Sequence, residues 1–301
     1  MKKIFLVSLG ALVGLSLTAC TKDDPKLKEF VENKSGAQVA TAVVEKYESG
    51  EASIVSETEG AQITANGSLD ITKDNANASA SGNLDFVYNE EKGVKGSFEF
   101  KTKSSEGTYT VEDNFKYEAE YDKALDNLYF AETSSETVIG MCVTGVWAYL
   151  NKDSVTTQTL SATNSATDDV YKGAISFIAK YEEAFTADVD GNHLVITIGE
   201  SASLNAKVSE EIKNQVGVGQ DLIKKLESNL NIKIYLNTDF SFAKVESEFD
   251  FKLESDVTNM DISAKAGLEF KYGSYTYESI PNRDKFTTIP AEKFFDFNIS
   301  F

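Results

Sequence analysis

Few side chains in this chain are of a type that does covalent or metal chemistry. Its 301 residues contain one histidine, His193, and two cysteines, Cys20 and Cys142. His193 follows Asp190-Gly191-Asn192, and nothing beside it is spaced as a catalytic triad or a histidine-based metal site would need. It reads as a surface residue flanking a turn. Cys142 lies inside Val138–Leu150, VIGMCVTGVWAYL, where apolar surroundings raise a thiol's pKa and leave it inert. Asp188-Val189-Asp190-Gly191-Asn192 starts like a calcium loop but lacks the spaced later ligands and the distal glutamate, so a hairpin turn is expected there. The 48 acidic residues show no pair that stands out as a glycosidase couple, a spacing set in three dimensions. Gly217-Val218-Gly219 follows a helical stretch instead of a strand, unlike a dinucleotide fingerprint. The expectation is a protein that is not an enzyme, with no cofactor and no metal.

Cys20 is the exception. MKKIFLVSLGALVGLSLTAC opens with Lys2 and Lys3, continues as an uncharged run from Ile4, and ends in small residues. That is the pattern of a secretory signal and not of a spanning helix. Leu17-Thr18-Ala19-Cys20 resembles the bacterial lipobox, which implies that residues 1–19 are removed and that Cys20 becomes an acylated first residue. Two or three palmitate-type chains on Cys20 supply enough methylenes for stable anchoring. No other segment reaches 18 apolar residues, so none is expected to span a membrane. The implied location is the cell membrane or the outer membrane, lipid-anchored and facing the extracytoplasmic side. Thr21-Lys22-Asp23-Asp24 resembles surface-export signals of some two-membrane bacteria. Residues 20–34 are charged and poor in apolar side chains, which reads as a flexible tether.

Without residues 1–19 the chain carries 27 basic and 48 acidic side chains, a formal charge of −21. Such a surface repels nucleic acid and anionic headgroups, so nucleic acid is excluded as a partner and the membrane is reached through Cys20. With Cys20 acylated, Cys142 has no disulfide partner. No Pro/Gly/Ser linker divides the remainder, and residues 35–301 read as one domain that depends on its own core.

The elements that build the domain follow from periodicity. Gly36–Glu48 places Val39, Ala42, Val43 and Tyr47 at helical spacing behind a Ser35 cap. From Ala61 the pattern changes to alternation. Ala76, Ala78, Ala80, Gly82, Leu84, Phe86 and Tyr88 share one face, with Asn, Ser or Asp between them as far as Asp85. Val94, Gly96, Phe98 and Phe100 form a further run, followed by Tyr109–Tyr121 and Asn127–Glu132. Asp153–Asp169 is Ser/Thr-rich and reads as an exposed loop. Helical spacing returns in Tyr171–Ala187, Ser203–Val216 and Gln220–Asn229, separated by a hairpin turning at Asp190-Gly191-Asn192. Alternation resumes with Ile232, Ile234, Leu236, Phe240 and Phe242, then Val245, Phe249, Phe251 and Leu253, then Ile262 to Tyr272, which includes Leu268 and Phe270.

The reading is α+β: one large curved antiparallel sheet with helices covering its concave face. Thirteen-residue strands are too long for an immunoglobulin-like sandwich and curl into a half-barrel instead. Ala76, Ala78, Ala80 and Gly82 then leave space on the hollow side for either a closely packed helix or a ligand. Trp147 is expected to be buried.

This order of elements resembles the LolA/LppX-like family of bacterial envelope proteins. The phrases carrying the resemblance are Gly145-Val146-Trp147-Ala148-Tyr149-Leu150, read as a strand before a polar loop; Ile232-Lys233-Ile234-Tyr235-Leu236-Asn237; and Thr288-Ile289-Pro290-Ala291-Glu292. It implies a half-barrel closed by helices that holds lipid or acyl chains between the layers, without catalytic residues. The candidate ligand-binding residues are therefore the hollow-side positions: Ala76, Ala78, Ala80, Gly82, Leu84 and Phe86 on one strand, Phe98 and Phe100 on the next, and Ile234, Leu236, Phe249, Phe251, Leu268 and Phe270 on the late strands. The other expectation is a surface structural or adhesion lipoprotein with a filled core.

Labelled palmitate fed to cells expressing the full chain should enter the wild type and the Cys142→Ser variant equally, and Cys20→Ser not at all. Label retained by Cys20→Ser would remove the anchor.

Overall fold

The computed structural model describes residues 23–56, 60–133, 139–150, 170–199, 201–216 and 223–298. The signal segment, Cys20 and the Asp153–Asp169 loop lie outside the described residues.

Seven strands of 14 residues make the body of one sheet: β1 (Gly60–Lys73), β2 (Ala76–Asn89), β3 (Gly93–Glu106), β4 (Tyr109–Asp122), β9 (Ile223–Leu236), β10 (Phe242–Ser255) and β11 (Asn259–Tyr272). At ~3.3 Å per residue each runs about 46 Å. Five shorter strands complete it: β5 (Asn127–Glu132), β6 (Ile139–Thr144), β7 (Phe185–Asp190), β8 (His193–Gly199) and β12 (Thr287–Pro290). The order across this large curved 12-stranded sheet is β12-β6-β5-β4-β3-β2-β1-β11-β10-β9-β8-β7. The fold class is α+β.

Pairing puts the apolar positions in rows. Leu268 lies opposite Ala65, Ala65 opposite Leu84, Leu84 opposite Phe98 and Phe98 opposite Tyr117. The next row on the same face runs Ala266, Gly67, Gly82, Phe100, Phe115. Turn residues hold this register. Asp74 adopts φ 51° between β1 and β2, and its carboxylate accepts from the Asn259 amide and the Thr258 hydroxyl at the neighbouring turn.

Helices cover the apolar face at its two flanks. On one flank α1 (Pro25–Val31), α2 (Gly36–Glu48), α4 (170–180) and α5 (Ala202–Val216) pack on β7–β9. Leu27, Val39, Val43, Ile178, Leu194, Leu204 and Leu236 form the cluster they enclose. On the other flank α3 (Val146–Leu150) and α6 (Ala291–Asn298) enclose Val143, Val146 and Ala291 against Tyr121, Phe130 and Met141. The opposite, polar face carries a strap, residues 273–286, which buries Ile280 and Phe286 against Tyr129, Ala131 and Cys142. Beneath it the buried carboxylate of Glu120 accepts from the Ile280 amide at 2.7 Å and the Arg283 guanidinium at 3.0 Å. Two charge-assisted bonds offset the cost of burying that charge.

Several expectations are corrected. The stretch read as a tether is structured from Asp24, whose side chain caps α1 through the Lys26 and Leu27 amides. Leu27 is 1 % exposed, with Phe30 and Val31 packed into the same cluster, and the domain therefore begins before residue 35: three apolar side chains in seven residues are enough to dock a helix. Of the helix expected over Gln220–Asn229, the described part, residues 223–229, is instead the start of β9. Leu226 and Leu230 are four apart, a spacing that satisfies both periods, and pairing with β10 selects the strand. Gly145–Leu150 is not a strand: Gly145 turns the chain at φ 71°, and the Asp126 carboxylate accepts from the Trp147 and Ala148 amides, starting α3. Trp147 is 62 % exposed, not buried. The helix read over Tyr171–Ala187 ends at residue 180, and Phe185 opens β7. The sheet is not wholly antiparallel, because the strap carries the chain across the sheet and returns β12 parallel to β6. Gly36–Glu48 does form the expected helix, with a full capping box between Ser35 and Gln38.

Leu27→Ala should lower the unfolding free energy by about 3 kcal/mol, read by urea denaturation. A loss near zero would return residues 24–34 to a tether.

Candidate functional site

Between the two helical flanks the central strands keep their apolar face open among the described residues. The floor of the resulting trough has a volume of about 700 Å³ and is lined by Gly67, Leu69, Ala80, Gly82, Phe100, Ile232, Phe249 and Ala266, among others. A second hollow of about 480 Å³ adjoins it through Leu84 and Phe98 and extends to Phe86, Gly96, Tyr117, Phe130 and Met141. Leu69, Phe86, Phe115 and Tyr117 remain exposed, and Phe98 is 40 % exposed. These exposures are contiguous across neighbouring strands and are not scattered singly.

The small residues have a local physical role. A Cβ at Gly96 would come within 2.7 Å of the Phe86 ring, so that ring lies over bare backbone. At Gly82 a Cβ would sit 3.5 Å from Phe100 and 3.8 Å from Phe98, whose rings stack with centroids 6.1 Å apart. Glycine under a cross-strand aromatic lets the ring cover the backbone and keeps the floor shallow. Ala80 faces Leu69 across the β1–β2 pair. Among the described residues no helix fills the space above Gly82.

The trough carries little charge. Lys265, at its margin, reaches the opposite face, where its Nζ lies 3.0 Å from Glu248. That face is laced with cross-strand ion pairs, the half-buried Lys95–Glu118 at 3.0 Å and the exposed Lys103–Glu112 among them, and exposed pairs of the second kind contribute little stability each. Under the strap, burial together with the nearby Glu120 and Asp122 charges pushes the Tyr277 hydroxyl up to about 12. Burial likewise raises the Cys142 thiol, partly offset by the Tyr129 hydroxyl and the Arg283 charge, consistent with an unreactive thiol.

The residues expected to bind a ligand are distributed as follows. Ala80, Gly82, Leu84, Phe98, Phe100 and Phe249 line the trough, and Phe86 lines the adjoining hollow. Ala76 and Ala78 stand on the same strand and face toward the β1–β2 turn, and Leu268 stands in the Ala65 row. Ile234 and Leu236 pack into the flank cluster, with Leu236 1 % exposed, and Phe251 is 2 % exposed. These three are core. Phe270 packs 6.0 Å from Phe242 and 6.5 Å from Tyr272, at the rim of a separate polar groove. That groove also contains Asp24, Asp190, His193, Asp239 and Lys244. Among the described residues no cluster of His, Cys, Asp and Glu is placed to hold a metal ion. Gly67, Leu69, Leu230, Ile232, Ala264 and Ala266 belong to the floor but not to the expected set. Their alternation is visible in sequence, whereas their place beside Gly82 follows only from the pairing register.

Gly96→Val should cost about 2 kcal/mol by forcing the Phe86 ring off its seat, whereas Gly82→Ala should be close to neutral. Equal, small effects in denaturant titrations would contradict the ring placement. Neither a protein-family model nor a curated protein sequence matches this chain.

Proposed function

We propose that this is a membrane-anchored bacterial envelope lipoprotein that binds a hydrophobic ligand, a lipid or an acyl chain, without catalysis. The ligand lies on the sheet between the two helical flanks, in a half-barrel of the LolA/LppX-like kind. The observation that carries this reading is the exposed apolar trough of about 700 Å³, within the ~300–1,000 Å³ range of small-molecule sites. Each methylene moved from water onto such a floor contributes about 0.8 kcal/mol, so a long chain binds without any charged contact.

The anchor rests on the sequence around Cys20. Only Thr21 and Lys22 separate it from Asp23, whose carboxylate accepts from the Gly191 amide, while the Asp24 amide donates to the Gly191 carbonyl. Three residue steps of at most ~3.6 Å hold Asp23 within about 11 Å of the acylated residue, with the β7–β8 turn one hydrogen bond beyond it. The trough-bearing domain is thus held close to the bilayer from which a lipid would come. A surface adhesion or structural component is the second reading, favoured by the two filled clusters at the flanks.

Organic extraction of purified Cys20→Ser protein, followed by mass spectrometry, should yield copurified lipid in roughly stoichiometric amount. Ala266→Phe, placed on the open floor, should reduce that yield at least about tenfold with no loss of stability. Lipid-free protein that also fails to bind added fatty acid or phospholipid would overturn the proposal in favour of the second reading.

A further inference from the structure

The two halves of β4 have different surroundings. Tyr117–Asp122 pairs with β5, whereas Tyr109–Phe115 pairs with β3 alone among the described residues. The β3–β4 turn is the two-residue loop Gly107-Thr108 between the paired Glu106 and Tyr109. In such a hairpin the closing pair exchanges both backbone bonds, and alternate residues do the same. Odd residues of β4 therefore bond β3, and even residues direct their amides and carbonyls outward. The bond from the Thr133 amide to the Lys116 carbonyl, 2.8 Å, follows this parity. Thr110, Glu112 and Asn114 present the same groups further along, at the unpaired half.

This edge has a readable side-chain pattern. Tyr109, Val111, Asp113 and Phe115 share the apolar face, with Tyr109 81 % and Val111 59 % exposed. Thr110, Glu112 and Asn114 face the other way. Asp113 is an inward-pointing charge of the sort that guards an edge against indiscriminate pairing. A second copy of the chain is the poorer occupant: two-fold antiparallel pairing centred on Glu112 or on Asp113 sets an acid opposite itself, and Tyr109–Phe115 offers no basic residue to meet either.

The geometry points to β4 as a strand-addition site for an extended basic–apolar segment of another protein. The occupant runs antiparallel to Tyr109–Phe115. It places apolar side chains opposite Phe115 and Val111, a basic side chain opposite Asp113, and a second basic side chain opposite Glu112, which already pairs with Lys103 on β3. Main-chain bonds to Thr110, Glu112 and Asn114 supply affinity, and the paired charges supply selectivity on a strongly acidic protein. The site meets the apolar face at Phe115 but uses none of the residues that line the trough floor, and it does not depend on lipid being bound there.

The test uses the full chain carrying Cys20→Ser and a fluorescent heptapeptide, Val-Thr-Lys-Lys-Val-Thr-Tyr, whose two lysines meet Asp113 and Glu112 in this register. Saturable binding is expected, weakened about tenfold when the lysines are exchanged for glutamates. Asp113→Lys, on an exposed position, should reverse that preference. N-methylation of the second lysine and of both threonines, whose amides point at β4, should abolish binding, whereas N-methylation of the first lysine and second valine should not. Equal binding of both methylated peptides, or an unchanged preference in Asp113→Lys, would overturn the site. So would a chain that sediments as an edge-paired dimer, since a second copy would then be the occupant.

Discussion

Successive side chains of a strand leave opposite faces, so one residue of slip exchanges a strand's whole dry set for its wet set. In this protein seven strands of 14 residues must all hold that parity at once. The rows from Leu268 through Ala65, Leu84 and Phe98 to Tyr117 exist only because every hairpin closes at one registration. Asp74, bridging two turns through its carboxylate, fixes one end of that arrangement. The burial of the flank clusters and the continuity of the trough both follow from this constraint.

A sheet with one dry face needs a second layer, and among the described residues the chain supplies it only at the flanks. Leucine and valine from α1 and α2 close one side, and phenylalanines from α6 close the other. In the centre the substitute for a second layer is lateral packing. Rings of Phe86, Phe98 and Phe100 lie over glycine and over one another, which removes part of their area from water while leaving the surface open. That compromise leaves free energy unrealised at the floor, and an apolar molecule placed there recovers it. On the polar face the 273–286 strap covers the β4–β6 flank, where Glu120 and Arg283 tie it down.

Much of this architecture is legible in the sequence, for an identifiable reason. Strict alternation around Ala76–Tyr88 leaves no competing period, and Ser35 with Gln38 makes a complete helix start. The misread segments are those in which two periods coincide or a partner far away decides. Leu226 and Leu230 fit a helix and a strand equally well until β10 pairs with them. Gly145–Leu150 looks like a strand until Asp126, remote in sequence, caps it as a helix. The floor was partly legible in the same way: Gly82 and Phe100 announce a face, but Leu236 and Phe251 share that face and are sealed by helices whose docking no local pattern encodes.

The claim on which the account rests is that the central apolar face is open while the flanks are closed. Carbene footprinting of delipidated Cys20→Ser protein, read residue by residue, measures this directly. Heavy modification of Leu69, Phe98 and Phe115 with protection of Leu27, Leu236 and Phe251 is the predicted result. Equal protection of both sets would mean that something covers the trough, and the account of an exposed binding floor would be contradicted.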